Sequence, residues 1–232
     1  QGLDYGLNRL IDLAVLCEEL GFYSVSVGDS LLSKPRWRAI PTMAAMAAKT
    51  SRIKITSHIL MPHLYNNPVL LAQELATLDV ISKGRVVLGC GIGAGKSNLV
   101  ELEHRLCGVL KKRRGKAFDE CLMLLKRLWT EEEVTHNGEF WQYEGVRLGL
   151  KPHQKPHPPI WVAARAPVTY DYAVKNQCNI LSWPLTRPMS EVETYLGRLQ
   201  SALDDNPGQK RPIFATMRHT CVYDHEKDWM VP

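Results

Sequence analysis

Four glycines at alternate positions, Gly89, Gly91, Gly93 and Gly95, follow the apolar run Val86-Val87-Leu88 and enclose one thiol, Cys90. A short β-branched run released into glycines predicts a buried strand that ends in a loop whose backbone a ligand can approach closely. The loop runs on into Lys96-Ser97, which raises phosphate chemistry. A phosphate-binding P-loop requires Gly-x4-Gly-Lys-Ser, so Gly95-Lys96-Ser97 would need a glycine at position 90. Cys90 stands there, and the nucleotide-triphosphatase reading fails by one residue. As a nucleophile Cys90 has no His–Asp relay beside it in sequence, and a small buried hydrophobe is its simpler role. Eight histidines without a His-Glu-x-x-His, and six cysteines without a Cys-x-x-Cys, offer no metal spacing.

The elements that would position this loop follow one another along the chain. Leu7, Leu10, Ile11, Ala14 and Cys17 share one face of a helix over residues 7–20, closed by Gly21. Residues 22–29 read as a strand, and Pro41 as the opening of a helix to about Lys49. A strand over 53–60 follows, then a helix that starts at Asn67-Pro68 and carries Leu71, Leu75 and Leu78. After the strand at 84–88, Phe118, Cys121, Leu122, Leu125, Leu128 and Trp129 mark another helix. Asn137-Gly138 turns a hairpin inside an excursion over about 131–158, which ends in a linker with four prolines. Strands at 160–163, 179–182 and 213–223 then alternate with helices at 167–175 and 189–203.

Strand then helix, repeated six times, argues a parallel α/β domain, either a (β/α) barrel or a doubly wound sheet. The strand count falls short of eight at both ends. In either fold, ligands sit at the C-terminal ends of the strands. Those ends hold Asp29, His58, the loop from Cys90, Ala164-Arg165-Ala166 and Trp183. Asp29 can be a loop cap, His58 a core histidine and Trp183 a packing residue. Arg165 differs, because it directly precedes a helix start, where backbone N–H groups and the helix dipole already favour an anion.

Composition is that of an ordinary globular chain, 45% apolar and 23% charged over 232 residues with a net charge of +5. The run Lys111 to Lys116 carries much of that excess and reads as a solvated helix start before it reads as a nucleic-acid patch. No apolar run of about 18 residues predicts a membrane span. Widely spaced cysteines and the absence of a signal pattern at Gln1-Gly2-Leu3-Asp4 predict a reduced, cytoplasmic protein.

Several of these stretches carry a resemblance. Val27-Gly28-Asp29-Ser30-Leu31-Leu32, Thr50-Ser51-Arg52-Ile53-Lys54-Ile55, Asn67-Pro68-Val69-Leu70-Leu71-Ala72, Ala76-Thr77-Leu78-Asp79, Gly84-Arg85-Val86-Val87-Leu88-Gly89, Asp119-Glu120 and Pro159-Ile160-Trp161 resemble the luciferase-like flavin-dependent oxidoreductases, collinearly from about residue 5 to 185. The resemblance implies one (β/α)8 TIM-barrel type domain over residues 1–232, incomplete, with about six strands and units missing at both ends. It implies a monooxygenase that uses reduced FMN and oxygen on a small organic substrate, with a separate flavin reductase as partner. A deazaflavin-dependent dehydrogenase and a non-catalytic barrel fragment stay open as alternatives, as does a homo-oligomer. Flavin contacts are implied at Ser57, His58, Ile59, Cys90, Gly91, Ile92, Ala164, Arg165, Ala166 and Trp183, with Asp29 and His58 nearest the reacting ring. The same resemblance implies a non-prolyl cis peptide or a bulge at His58–Ile59. Two positions depart from the deazaflavin sugar-phosphate dehydrogenases, which have His after the aspartate and Glu after the glycine loop. Ser30 and Ala94 stand there.

Overall fold

The computed structural model describes residues 6–93, 97–185 and 187–218, in two compact units, Gln1–Trp161 and Val162–Pro232. The first unit contains α1 (Gly6–Glu19), β1 (Ser24–Val27), α2 (Ala39–Lys49), β2 (Lys54–Ser57), α3 (Pro68–Ile81), β3 (Val86–Cys90), α4 (Asn98–Leu106), α5 (Arg114–Thr130) and the hairpin strands β4 (Val134–Asn137) and β5 (Gln142–Val146). The boundary falls inside β6 (Ile160–Ala163), and the second unit continues with α6 (Pro167–Lys175), β7 (Asn179–Leu185), α7 (Met189–Asp204) and β8 (Phe214–Arg218). Strand order is β1-β2-β3-β6 in the first unit and β6-β7-β8 in the second. The registers Val27↔Ser57, Thr56↔Val87 and Ser182↔Thr216 belong to parallel ladders. Six strands therefore form the sheet among the described residues, as the strand–helix count predicts. There β1 pairs with β2 alone and β8 with β7 alone. The extension of the last strand to Tyr223 lies outside the described residues.

Burial explains the helical faces. Met43 and Met46 of α2, Leu71, Leu75 and Leu78 of α3, and Leu122, Leu125 and Leu128 of α5 are all buried. The helices α2 and α3 pack together, as do α3 and α5, and Trp129 on α5 donates its indole N–H to the Ala72 carbonyl at 2.9 Å. At the N-terminal ends of the strands, buried Arg85 donates to the carbonyls of Ala47, Thr50, Ile53 and Ser82 at 2.7–3.1 Å. A guanidinium there meets the carbonyl end of α2, where a cation is favoured. Glu18 binds the N–H groups of Ser51, Arg52 and Ile53. Burial raises its pKa, but those backbone donors outweigh burial and bring it to about 2.

Several elements differ from the periodicity reading; β1 keeps only Ser24–Val27 of residues 22–29, and β7 runs on to Leu185. The helix α2 starts at Ala39, not Pro41, because Asp29 supplies a distant carboxylate cap to the Ala39 N–H. The strand β2 stops at Ser57, and Leu60 meets Cys90 as an isolated parallel bridge. The strand β3 continues to Cys90, two residues beyond Leu88. The helix α4 has no counterpart in the periodicity reading; Ser97 caps it by accepting from Val100 N–H. The basic run falls in a 3-10 turn at Lys111–Arg113 and the start of α5, where Arg113 pairs with Glu139 of the hairpin loop. None of the described cysteines forms a disulfide, and no metal-binding group of His, Cys, Asp and Glu occurs among the described residues. No helix among them is long and apolar enough to cross a membrane.

Candidate active site at the strand ends

In the first unit the parallel register places the C-terminal ends of β1, β2 and β3 side by side. His58 N–H donates to Val27 O at 2.7 Å, Ser57 Oγ to Gly89 O at 2.9 Å and Leu60 N–H to Gly89 O at 2.9 Å. Gly91 N–H returns to Leu60 O at 3.0 Å. Ser57, His58 and Ile59 are thus joined to Cys90 and Gly91 through backbone bonds. The His58–Ile59 peptide is cis, as the resemblance implies. Ser57, Cys90 and Gly91 are buried, His58 and Ile59 half-buried, and Ile92 is exposed. The Cys90 thiol is completely buried and donates to Trp161 O at 3.4 Å, which suits a packing group better than a nucleophile. Gly93 has φ +75, and a side chain there would collide with Met61 Sδ at 2.5 Å, so the loop needs glycine on both counts.

Asp29 is a structural hub. Its Oδ1 accepts from Ala39 N–H at 3.1 Å; its Oδ2 accepts from Tyr65 Oη at 3.1 Å and pairs with Arg38 Nη1 at 3.3 Å. The Arg38 guanidinium also stacks 4.7 Å over the Tyr65 ring. Burial raises the Tyr65 pKa and the Asp29 charge adds to it, so Tyr65 stays the donor. These groups and Leu31, Met61 and Leu64 line a small cavity. Beyond Asp29, Glu103 of α4 collects the loop. Its Oε1 accepts from Ser30 Oγ at 3.1 Å, Leu31 N–H at 3.0 Å and Ser33 N–H at 2.8 Å. Ser30 is fully engaged in this latch.

His58 has its pKa lowered, first by burial and then by the Arg36 charge, so its imidazole is neutral at pH 7. Beneath the glycine loop, His63 and His104 are fully buried, 5.5 Å apart between ring centroids. His104 Nδ1 donates to Val100 O at 2.7 Å. His63 is pushed down to about 3 by burial, then by His104 and Arg114. Sequence reasoning missed Glu103, Tyr65 and this histidine pair. Their partners lie 36–73 residues away along the chain, and no spacing rule reaches across such gaps.

In the second unit, Ala164 is buried while Arg165 and Ala166 are exposed ahead of α6. Ala166 is the N-cap and offers no side-chain acceptor, and Pro167 occupies the first turn. The α6 N-terminus is therefore an open donor end with a cation beside it, which fits an anion. Arg165 O accepts from Arg198 Nη1, and the Arg165 side chain reaches Tyr195 Oη. Trp183 is half-buried on β7, next to Ser182, whose hydroxyl lies 3.1 Å from that of Thr216.

Comparison with known proteins adds the family. Residues 2–230 match the model of the luciferase-like monooxygenase family. The oxygenase component of a flavin-dependent trigonelline monooxygenase from Acinetobacter baylyi is 33% identical over 97% of this chain and 61% of its own. An F420-dependent glucose-6-phosphate dehydrogenase from Microbacterium testaceum is 32% identical over 95% of this chain and 66% of its own. The chain thus spans about two thirds of the length of these relatives. Among solved structures, monooxygenase RslO1 from Streptomyces bottropensis superposes with a TM-score of 0.77 at 26% identity, covering 90% of this chain and 64% of that one.

Proposed function

This chain belongs to the luciferase-like monooxygenase family, and from that premise we propose that it serves as the oxygenase side of a flavin-dependent monooxygenase. The observation that carries this is the 33% identity, along 97% of the chain, to an oxygenase component. A bound reduced flavin would supply the electrons for oxygen or an organic acceptor. The chain would supply the rest. Ile59 and Ile92 offer apolar side chains that exclude water at the strand ends, beside the buried backbone of Cys90 and Gly91. Neutral His58 can accept or return a proton there. Asp29, with Tyr65 and Arg38, fixes the first strand end. In the second unit, taken by itself, the open α6 N-terminus and Arg165, with Ala164 and Ala166 shaping the turn, would hold an anionic group such as a phosphate, and Trp183 on β7 offers an aromatic face. Being like an oxygenase component, the chain would receive reduced FMN from a separate reductase and would work in the cytoplasm.

The second reading is a deazaflavin-dependent dehydrogenase, favoured by the 32% identity to the F420-dependent enzyme. Against it, Ser30 is spent on Glu103 and position 94 is Ala, so neither departure supplies the dehydrogenase's acid–base groups. Parallel titrations with FMN and F420, followed by absorbance in the flavin band, separate the two. Saturable binding of FMN at least tenfold tighter than F420 is expected. Preference for F420 would transfer the chain to the dehydrogenase branch, and binding of neither would end the proposal.

A further inference from the structure

We infer that Arg36, seated over Gly28 at the end of β1 beside His58, is the anchor for a carboxylate on the substrate of this site. The inference rests on the flavin reading for the word substrate, and on geometry for the anion.

A Cβ built on Gly28 would run into the Arg36 guanidinium, meeting its Cζ at 2.7 Å and its Nε at 3.3 Å. Gly28 does not have a positive φ, so backbone freedom gives no reason for glycine here. Its lack of a side chain makes room for the guanidinium. The chain from Asp29 returns over its own strand end to place that group there. Gly28 follows Val27, whose carbonyl accepts the His58 N–H, so the guanidinium lies over the joint between the ends of β1 and β2. That joint borders the half-buried His58 and Ile59.

The two arginines of this loop differ in what they already hold. Arg38 is paired with Asp29 and stacked on Tyr65. Arg36 is exposed, and no carboxylate pairs with it among the described residues. A guanidinium seated over a glycine, with no carboxylate paired to it, is suited to a planar carboxylate through two parallel N–H···O bonds. The loop itself is fixed by Glu103 through Ser30, Leu31 and Ser33, so the anchor is carried on a held segment.

The test uses benzoate and its uncharged isostere benzamide, titrated calorimetrically into the whole chain with and without FMN. Benzoate should bind at least tenfold more tightly than benzamide. In Arg36→Gln the ratio should fall to within twofold, while FMN affinity stays unchanged and the circular dichroism melt confirms folding. Gly28→Ala keeps every charge but displaces the guanidinium, and should also lose most of the preference. Equal binding of benzoate and benzamide by the wild type would overturn the inference. So would an undiminished preference in Arg36→Gln or in Gly28→Ala. Inorganic phosphate that competes more strongly than benzoate, or an Arg36→Gln loss confined to FMN and absent for riboflavin, would assign the arginine to a phosphate and overturn the carboxylate. Failure of FMN to bind the wild type, with the benzoate preference intact, would overturn the flavin reading and support the anion site.

Discussion

The strand ends of the two units are held in opposite ways. In the first unit buried charges do the holding. Asp29 caps α2 and binds Tyr65, while Glu103 gathers the loop at residues 30–33. In the second unit the corresponding positions carry one hydroxyl pair, Ser182 with Thr216, and a helix start without a side-chain cap. Buried charged hydrogen bonds cost much to remove because the partners are left without water, whereas a bond between two neutral hydroxyls contributes less. The first unit is thus built to keep its backbone in one place. The second leaves donors open for something to arrive.

That contrast can be broken by mutation. Glu103→Ala should have the largest effect, because it strands four loop donors, the Ser30 hydroxyl and the N–H groups of Leu31, Leu32 and Ser33, around a buried position. A loss of about 3 kcal/mol or more is expected in urea unfolding, with Glu103→Gln losing less since one acceptor oxygen remains. A loss under about 1 kcal/mol would mean the loop is held by something else.

Acid should also find the first unit. The His63 pKa is depressed from 6.5 to about 3, so the unfolded chain takes up a proton that the folded chain refuses. Stability from this group is complete above pH 6.5 and falls as the pH drops toward 3, by at most about 1.4 kcal/mol per unit. At pH 5 this reaches roughly 2 kcal/mol. His63→Phe, which keeps the edge contact with Phe118, should flatten the slope over that range; an unchanged slope would place the proton uptake elsewhere.

In the second unit the effects should appear in ligand binding. Arg165→Ala should weaken FMN roughly tenfold, or about 1.4 kcal/mol, and leave riboflavin nearly untouched. Equal losses for both would make Arg165 a folding residue. Smallest of all, Ser182→Ala should cost about 0.5–1.5 kcal/mol, since one neutral hydroxyl bond is lost; a loss as large as that of Glu103→Ala would erase the contrast.

The sequence shows the scaffold more clearly than the latches. Period-3.6 faces on α3 and α5, the Asn67-Pro68 cap and the β-branched run at Val86 are local signals, and the structure follows them. The cis His58–Ile59 peptide was legible through the family resemblance. Periodicity could not show that Asp29 would cap a helix ten residues on, or that Glu103 would reach back 73 residues to Ser30. Long-range polar contacts leave no periodic trace, and a charged residue on a short helix such as α4 reads as solvated surface until its partner is seen.

Engagement of a flavin by the joined ends of β2 and β3 is tested most directly by an amide chemical-shift titration of the whole chain with FMN. Saturable shifts should be largest at residues 57–60 and 90–92. Shifts absent from residues 57–60 and 90–92 while FMN binds elsewhere would contradict it.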